Sequence, residues 1–493
     1  MPRKSTEIDR SLLLGDLSRL GGAAEYGASD QSELLRRHLP IADHWRVLDR
    51  DTLLVLGGRG VGKTQLFNVL NVLDHPESLV SETTSSARLR QQGLVYDKGF
   101  TLSGRTFPST DVIEQNWRTD LLSDAGTFWL GLLAGVLLRR SDTSDVLKSR
   151  LGTTASDALA DSLPAPSIWL RLIAERLETV RLAIDEADSL LERRGLTLTI
   201  TYDDLDQLVA RLPDAYSLIR DLLAFWLRGM RRWSSIRCKI FLRTDIFAAE
   251  EFAFTDSSKL RPLSVTLRWN ADNLYRLVLK RLLNGDHGRE WERFLRPEIP
   301  REKLTTVIPF RIVPNTGEED HRAFMKLMVG HYMGSDKRRG ETYRWFLNHL
   351  QDSRGDISPR SFLTLFQSAA TRQLDEAPGE RLLTPEQVSG ALVEVSKDRL
   401  EELKEEYSWI AALAGDLEGR VVPMQRKDFR KCCRTIDWTQ FPEFVRQNKD
   451  RLIDYLINLG ILRETRDARI HVPDIYLFGL GLKRKGGIRR PKV

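Results

Sequence analysis

Apolar residues recur at helical spacing over residues 32–48. They are followed by a short apolar run, Thr52-Leu53-Leu54-Val55-Leu56, that enters a cluster of glycines. A second helical stripe starts at Gln65 and carries Leu66, Phe67, Val69, Leu70 and Val72, the pattern of a helix pressed against a sheet. Residues 196–202 alternate, are rich in β-branched side chains and end on acids, which predicts a strand. Residues 239–242 and 264–267 predict two more, and an amphipathic helix over 214–232 lies between the first two. Strands alternating with helices predict a mainly parallel sheet with helices on both faces.

The pattern changes between about 75 and 195. A loop-rich part comes first, then helical patterns over 113–140 and 168–193, so this stretch reads as an insertion in the core. The most apolar run, residues 128–138, is about half the length of a membrane span and predicts a buried helix. Beyond Asn270 the pattern is mostly helical, and a stretch with Pro, Gly and Glu at about 375–385 marks a linker. A helix over 441–459 leads through Gly460 into extended runs at 461–464 and 469–472 across a polar turn, an order that predicts a winged helix. The expected organisation is a tail (1–30), a core (31–269), a helical lid (270–375), a linker (376–395) and a winged-helix-like domain with a basic tail (396–493).

Composition narrows this picture only at its edges. With 41% hydrophobic and 29% charged residues in 493, the chain suits two or three globular domains, and neither disorder nor a fibrous repeat is indicated. Cys238, Cys432 and Cys433 give neither a disulfide framework nor metal-ligand spacing, and the first ten residues have no apolar signal core. A cytoplasmic protein is expected. The net charge of +6 is concentrated at the C-terminus, which points to a polyanion partner or to a solvated basic surface.

The glycine cluster, Gly57-Gly58-Arg59-Gly60-Val61-Gly62-Lys63-Thr64, meets the phosphate-loop pattern at every required position, between a strand and a helix. Backbone N–H groups from Gly57 through Gln65 would surround phosphates, with Lys63 neutralising their charge and Thr64 ligating Mg²⁺. Tyr202-Asp203-Asp204-Leu205-Asp206 closes the strand at 196–202 and supplies the expected acids: Asp203 on the metal side, Asp204 orienting and polarising the attacking water. Acids after a strand also begin helices and turns, and the upstream loop decides between the two readings. Asp206 is left to pair with a cation or a partner.

These two motifs resemble the additional-strand P-loop ATPases, which include AAA+ initiator proteins and STAND-type and KAP-type ATPases. The resemblance implies a strand between the two motif strands that ends in a polar sensor, here Arg243 with Thr244 and Asp245. It further implies a finger reaching a neighbouring subunit's phosphate, Lys259 or Arg261 in Asp256-Ser-Ser-Lys259-Leu-Arg261, unless these are ordinary surface cations. Gly355-Asp-Ile-Ser-Pro-Arg360 is similar to the second sensor of such lids, with Arg360 touching the γ-phosphate, although Ser358 and Pro359 also explain a plain helix start. Together with Ile475 to Gly487, these segments look like one bacterial P-loop ATPase family often encoded near mobile elements and defence genes.

The fold class expected is thus an α/β P-loop NTPase core, AAA+-like, with a helical insertion, a lid and a winged-helix-like domain. ATP and Mg²⁺ are the expected cofactors, hydrolysis the expected reaction and a homo-oligomer the expected assembly. The acid-free tail, with Lys483, Arg484, Lys485, Arg489, Arg490 and Lys492, is a candidate contact for DNA or RNA phosphates. The alternatives are a STAND-type switch acting on a separate effector protein and, further off, a small-molecule kinase.

Overall fold

The computed structural model describes residues 8–21, 30–80, 89, 93–119, 124–211, 215–247, 257–376, 381–441 and 443–485. By contacts the chain divides into two units, one of Met1–Glu25, Arg36–Leu39 and Arg268–Val493, the other of Tyr26–Leu35 and Pro40–Leu267.

The unit ending at Leu267 is built on a parallel sheet of β1 (Leu54–Gly57), β2 (Leu94–Phe100), β3 (Thr197–Tyr202), β4 (Ile236–Arg243) and β5 (Ser264–Thr266), in the order β2-β3-β4-β1-β5. The intervening strand expected from the resemblance is present: β4 pairs with β1 on one side and β3 on the other. β1, β3 and β4 are buried along their whole lengths, as strands covered on both faces must be. A buried lysine pins the entry to β1, because Lys239 Nζ on β4 donates to the carbonyls of Asp49 and Thr52.

Two sequence expectations change here. The helix over 32–48 is divided into Gln31–Arg37 and His44–Leu48, as Pro40 between them demands. The stretch at 75–195 is not wholly an insertion, since Leu94–Phe100 is a strand of the central sheet, parallel to β3. Asp97, Lys98 and Gly99 concealed it, because they break the apolar alternation on an edge strand.

The rest of that stretch is helical. Helix Ala125–Arg139 contains the run at 128–138 and is buried from Thr127 to Leu138. No described helix is long and apolar enough to cross a membrane. Trp129 closes the core by donating Nε1–H to the Leu218 carbonyl at 2.9 Å and by meeting Tyr202 of β3 edge-on at 5.8 Å. Gly131 admits the Trp169 ring, and a Cβ there would lie 2.3 Å from Trp169 Cζ3.

The unit containing Arg268–Val493 is mostly helical. Helix Arg10–Leu17 packs against helix Pro359–Leu374, burying Leu13, Leu14 and Leu17, so the first thirty residues are not simply a tail. The expected linker is contradicted as well: Pro385–Glu406 is one continuous helix. It starts at an N-cap where Thr384 Oγ1 accepts from the Gln387 N–H, and Val388, Ala391, Leu392 and Val395 are buried at helical spacing. Pro385, which resembles a breaker, occupies the first helical position.

Towards the C-terminus the expected hairpin is present as β10 (Arg463–Glu464) and β11 (Arg469–His471), antiparallel, and β9 (Met424–Gln425) adds a third strand to it. The helix expected over 441–459 is interrupted at Asn448, whose side chain accepts from the Asp450 N–H. This leaves Glu443–Gln447 and Leu452–Asn458 as separate helices.

Gly131→Ala is expected to destabilise the protein by about 1–3 kcal/mol, because the buried Trp169 ring cannot withdraw and the clash outweighs alanine's helix preference. Chemical denaturation checks this, and an unchanged or raised midpoint contradicts the packing described.

Candidate nucleotide site

The loop that leaves β1 turns twice through left-handed backbone, at Gly60 (φ 74°) and Gly62 (φ 98°), conformations that side chains resist. Gly62 is the residue before helix Lys63–Leu70, so the positive end of that helix opens into the loop. Phe67 seats the helix on the sheet by meeting Phe241 of β4 edge-on at 5.9 Å. Gly57, Gly58, Arg59, Gly60, Val61, Gly62, Lys63, Thr64 and Gln65 therefore occupy one continuous strand–loop–helix turn.

Within that turn Lys63 folds back, its Nζ donating to the carbonyls of Gly57 and Gly58 at 3.1 Å each. Burial pulls the amine below its ordinary range, while Asp206, Asp203 and Asp245 pull it up and Arg243 opposes them. The two carbonyls are neutral acceptors, and an anionic phosphate oxygen outcompetes such groups for an ammonium.

Asp203 is buried at 3% exposure at the end of β3. The Thr64 hydroxyl lies near enough to the Asp203 carboxylate to favour its ionised form, so the acid strand ends beside the loop helix. Burial, and then the neighbouring Asp204, push Asp203 up to about 7. Asp203 Oδ2 has no hydrogen-bond partner among the described residues. A buried carboxylate oxygen left over, beside a threonine hydroxyl and next to a phosphate loop, fits a hard divalent cation such as Mg²⁺ held by Thr64 and Asp203. Such an ion would supply charge neutralisation to bound phosphates.

Asp204 is placed differently from the expectation. It holds left-handed backbone, φ 61°, and is buried. Its Oδ2 accepts from Thr101 Oγ1 at 2.6 Å, from the Leu102 N–H at 3.1 Å and from Ser103 Oγ at 3.4 Å, and its Oδ1 accepts from Gln207 Nε2 at 3.1 Å. A carboxylate so engaged ties β3 to the segment after β2, and polarising a water would require these bonds to be released. Thr101, Ser103 and Gln207 carried no sequence signal, because only the pairing of β2 beside β3 brings 101–103 to Asp204.

Arg243 stands opposite Gly57 in the β1–β4 register and makes a two-pronged ion pair with Asp245, at 3.1 and 2.6 Å. The expected sensor thus lies next to the loop. Lys259 and Arg261 are exposed on the short helix Ser257–Leu263 that leads into β5.

Arg360 lies in the other unit, one residue into helix Pro359–Leu374, and pairs with Glu402 at 2.9 Å. Lys483 and Arg484 are not a free tail. They form strand β12, parallel to β8 (Val421–Val422), and Arg484 Nη1 donates to the buried Asp474 at 3.1 Å. Lys483 and Lys485 are exposed, and Arg489, Arg490 and Lys492 lie outside the described residues.

Two neighbouring acids should therefore respond oppositely to neutralisation. Asp204→Asn replaces an acceptor of three donors and should cost about 1–3 kcal/mol of stability. Asp203→Asn, measured without divalent cations, removes a charge that burial disfavours and keeps an oxygen for Thr64, so it should cost nothing or stabilise. Equal losses for both variants in thermal denaturation would contradict this division of roles.

No protein-family model and no curated protein matches the chain. Among solved structures it is similar to the Aeropyrum pernix ORC2 protein in ADPNP-ADP complexes, at 12% sequence identity and a TM-score of 0.30, with 94% of this chain and 98% of that chain covered. A likeness of that size carries no argument here, and the functional reading stands on the loop and the strand ends.

Proposed function

We propose that the chain binds ATP with Mg²⁺ on the loop Gly57 to Thr64, hydrolyses it, and uses the nucleotide state as a switch. The observation that carries this is the buried Asp203 beside Thr64, with Oδ2 unpartnered among the described residues, next to a lysine that donates to two loop carbonyls. Lys63 binds and neutralises phosphate oxygens, and Gly62 with the helix N-terminus orients them. Thr64 and Asp203 hold the ion. Asp204 takes up the water-polarising role when its bonds to Thr101 and Ser103 open. Arg243 reads the terminal phosphate from the neighbouring strand, Lys259 or Arg261 serves a second copy of the chain, and Arg360 is the second sensor.

The output of the switch is proposed to be nucleic-acid contact by the C-terminal region. The order of helix Ile410–Leu417, β9, helix Arg426–Cys432, helix Leu452–Asn458 and the β10–β11 hairpin supports a winged-helix reading, and Lys483, Lys485 and Arg466 in the hairpin turn are exposed. Arg484, and Arg489, Arg490 and Lys492 that follow it in the sequence, are further proposed contacts for phosphates. A place in defence or mobile-element biology is the family-level expectation of this reading.

Phosphate release by the purified chain, with and without DNA or RNA, tests it. Lys63→Ala and Asp203→Asn should each lower turnover by about 100-fold or more, and nucleic acid should raise the wild-type rate. Turnover that survives both substitutions would refute the site. Site-dependent turnover indifferent to nucleic acid would refute the proposed output alone.

A further inference from the structure

Helix Arg426–Cys432 lies in the unit containing Arg268–Val493, and the run Arg426-Lys427-Asp428-Phe429-Arg430-Lys431-Cys432-Cys433-Arg434 holds five cations against one acid. The five are not equivalent. Phe429 is fully buried and fixes which side of the helix faces the core. Lys427 and Lys431 stand on the opposite side, since roughly 200° of helix separates each of them from Phe429. Arg434 follows the helix end, and its Nε donates to the Lys431 carbonyl at 3.0 Å, which holds it beside the lysine row. All three are exposed.

Acids from later in the chain take up the other two cations. Arg426 pairs with Asp454 at 2.6 Å and with Glu464 at 3.0 Å, and Arg430 pairs with Asp450. The Asp416 carboxylate accepts from the N–H groups of Arg434 and Thr435 at 2.7 and 2.9 Å and from the Thr435 hydroxyl at 3.0 Å. Among the described residues no carboxylate pairs with the side chain of Lys427, Lys431 or Arg434. The helix before the β10–β11 hairpin offers the reverse. Leu452–Asn458 contains no lysine or arginine, and its exposed residues are Asp454 and Asn458. A helix-turn-helix protein sends its second helix into the major groove, and here that helix would bring a carboxylate and no cation to the flanking phosphates. The hairpin of β6 (Leu304–Val307) and β7 (Arg311–Pro314), also in this unit, exposes a single cation, Arg311. The row beside Phe429 is the better match to a polyanion. It has no exposed aromatic side chain, the feature on which single-strand binders stack bases, whereas a duplex keeps its bases paired and presents its phosphates.

We propose that Lys427, Lys431 and Arg434 contact the phosphate backbone of a nucleic-acid duplex, so that helix Arg426–Cys432, and not Leu452–Asn458, carries the nucleic-acid contact of the C-terminal region. This rests on the nucleic-acid output proposed above. The contact positions the duplex without reading its sequence, because phosphates are the same at every base pair. The pairs made by Arg426 and Arg430 brace the helix against the hairpin and against Asp450, leaving the lysine side outward.

The test is fluorescence anisotropy of the full chain with a DNA duplex of about two helical turns, titrated at several salt concentrations. Lys427→Gln combined with Lys431→Gln should weaken binding about tenfold or more and reduce the slope of log affinity against log salt by about 2. Adding Arg434→Gln should reduce the slope by about one more. Asn458→Ala should change neither. Duplex binding that keeps its affinity and its salt slope in the double variant overturns this inference and leaves the proposed output to the hairpin and to Lys483 and Lys485. Binding weakened by Asn458→Ala but not by the double variant overturns it in favour of helix Leu452–Asn458. No duplex binding by the wild type overturns the inference together with the proposed output, while site-dependent phosphate release would still stand.

Discussion

The placement of Asp203 at the end of β3, beside Thr64 of the loop helix, is the point on which the rest of the nucleotide site depends. The threonine begins the helix after β1 and the acid ends β3, strands that do not touch because β4 runs between them. That placement requires β1, β4 and β3 to keep their register. It also leaves Asp203 Oδ2 buried and, among the described residues, without a hydrogen-bond partner. Raising a carboxylate from 3.8 to about 7 corresponds to roughly 4 kcal/mol against its ionised form. A divalent cation at that oxygen would offset this cost.

Around this point the chain accepts several costs together. Asp204 is held left-handed, an arrangement that costs on the order of 1–3 kcal/mol unless surroundings impose it, and here four hydrogen bonds impose it. Lys63 is half-buried and Arg243 is confined by Asp245. The rigid support comes from elsewhere. The glycine-mediated contact of Ala125–Arg139 with Trp169, and the aromatic chain from Trp129 to Tyr202, hold the back of β3 still while its acidic end stays polar.

Much of this was legible in the sequence because it is local. The loop pattern, the strand before it and the helix after it are adjacent in the chain, and the buried strands β3 and β4 read as apolar runs. Edge strand β2 was not legible, since Asp97 and Lys98 serve a half-covered position and mask its period. Nor was the tie from Thr101 and Ser103 to Asp204, which spans about a hundred residues and exists only once β2 pairs with β3. The linker expectation failed for a different reason: Pro385 and Glu386 mark a helix start as readily as a break, and only the buried stripe from Val388 to Val395 decides between them. The row Lys427, Lys431 and Arg434 was not legible either, since Asp450, Asp454 and Glu464, which occupy Arg426 and Arg430, come from later in the chain.

The most direct measurement of the central claim is the affinity of a fluorescent ATP analogue as a function of Mg²⁺ concentration, for the wild type and for Thr64→Val. Valine keeps the volume of threonine and removes the hydroxyl beside Asp203. The wild type should bind more tightly as Mg²⁺ is added, by about tenfold or more, and the variant should lose that dependence while retaining Mg²⁺-free binding. Equal Mg²⁺ dependence in the two proteins would contradict the assignment of the ion to Thr64 and Asp203.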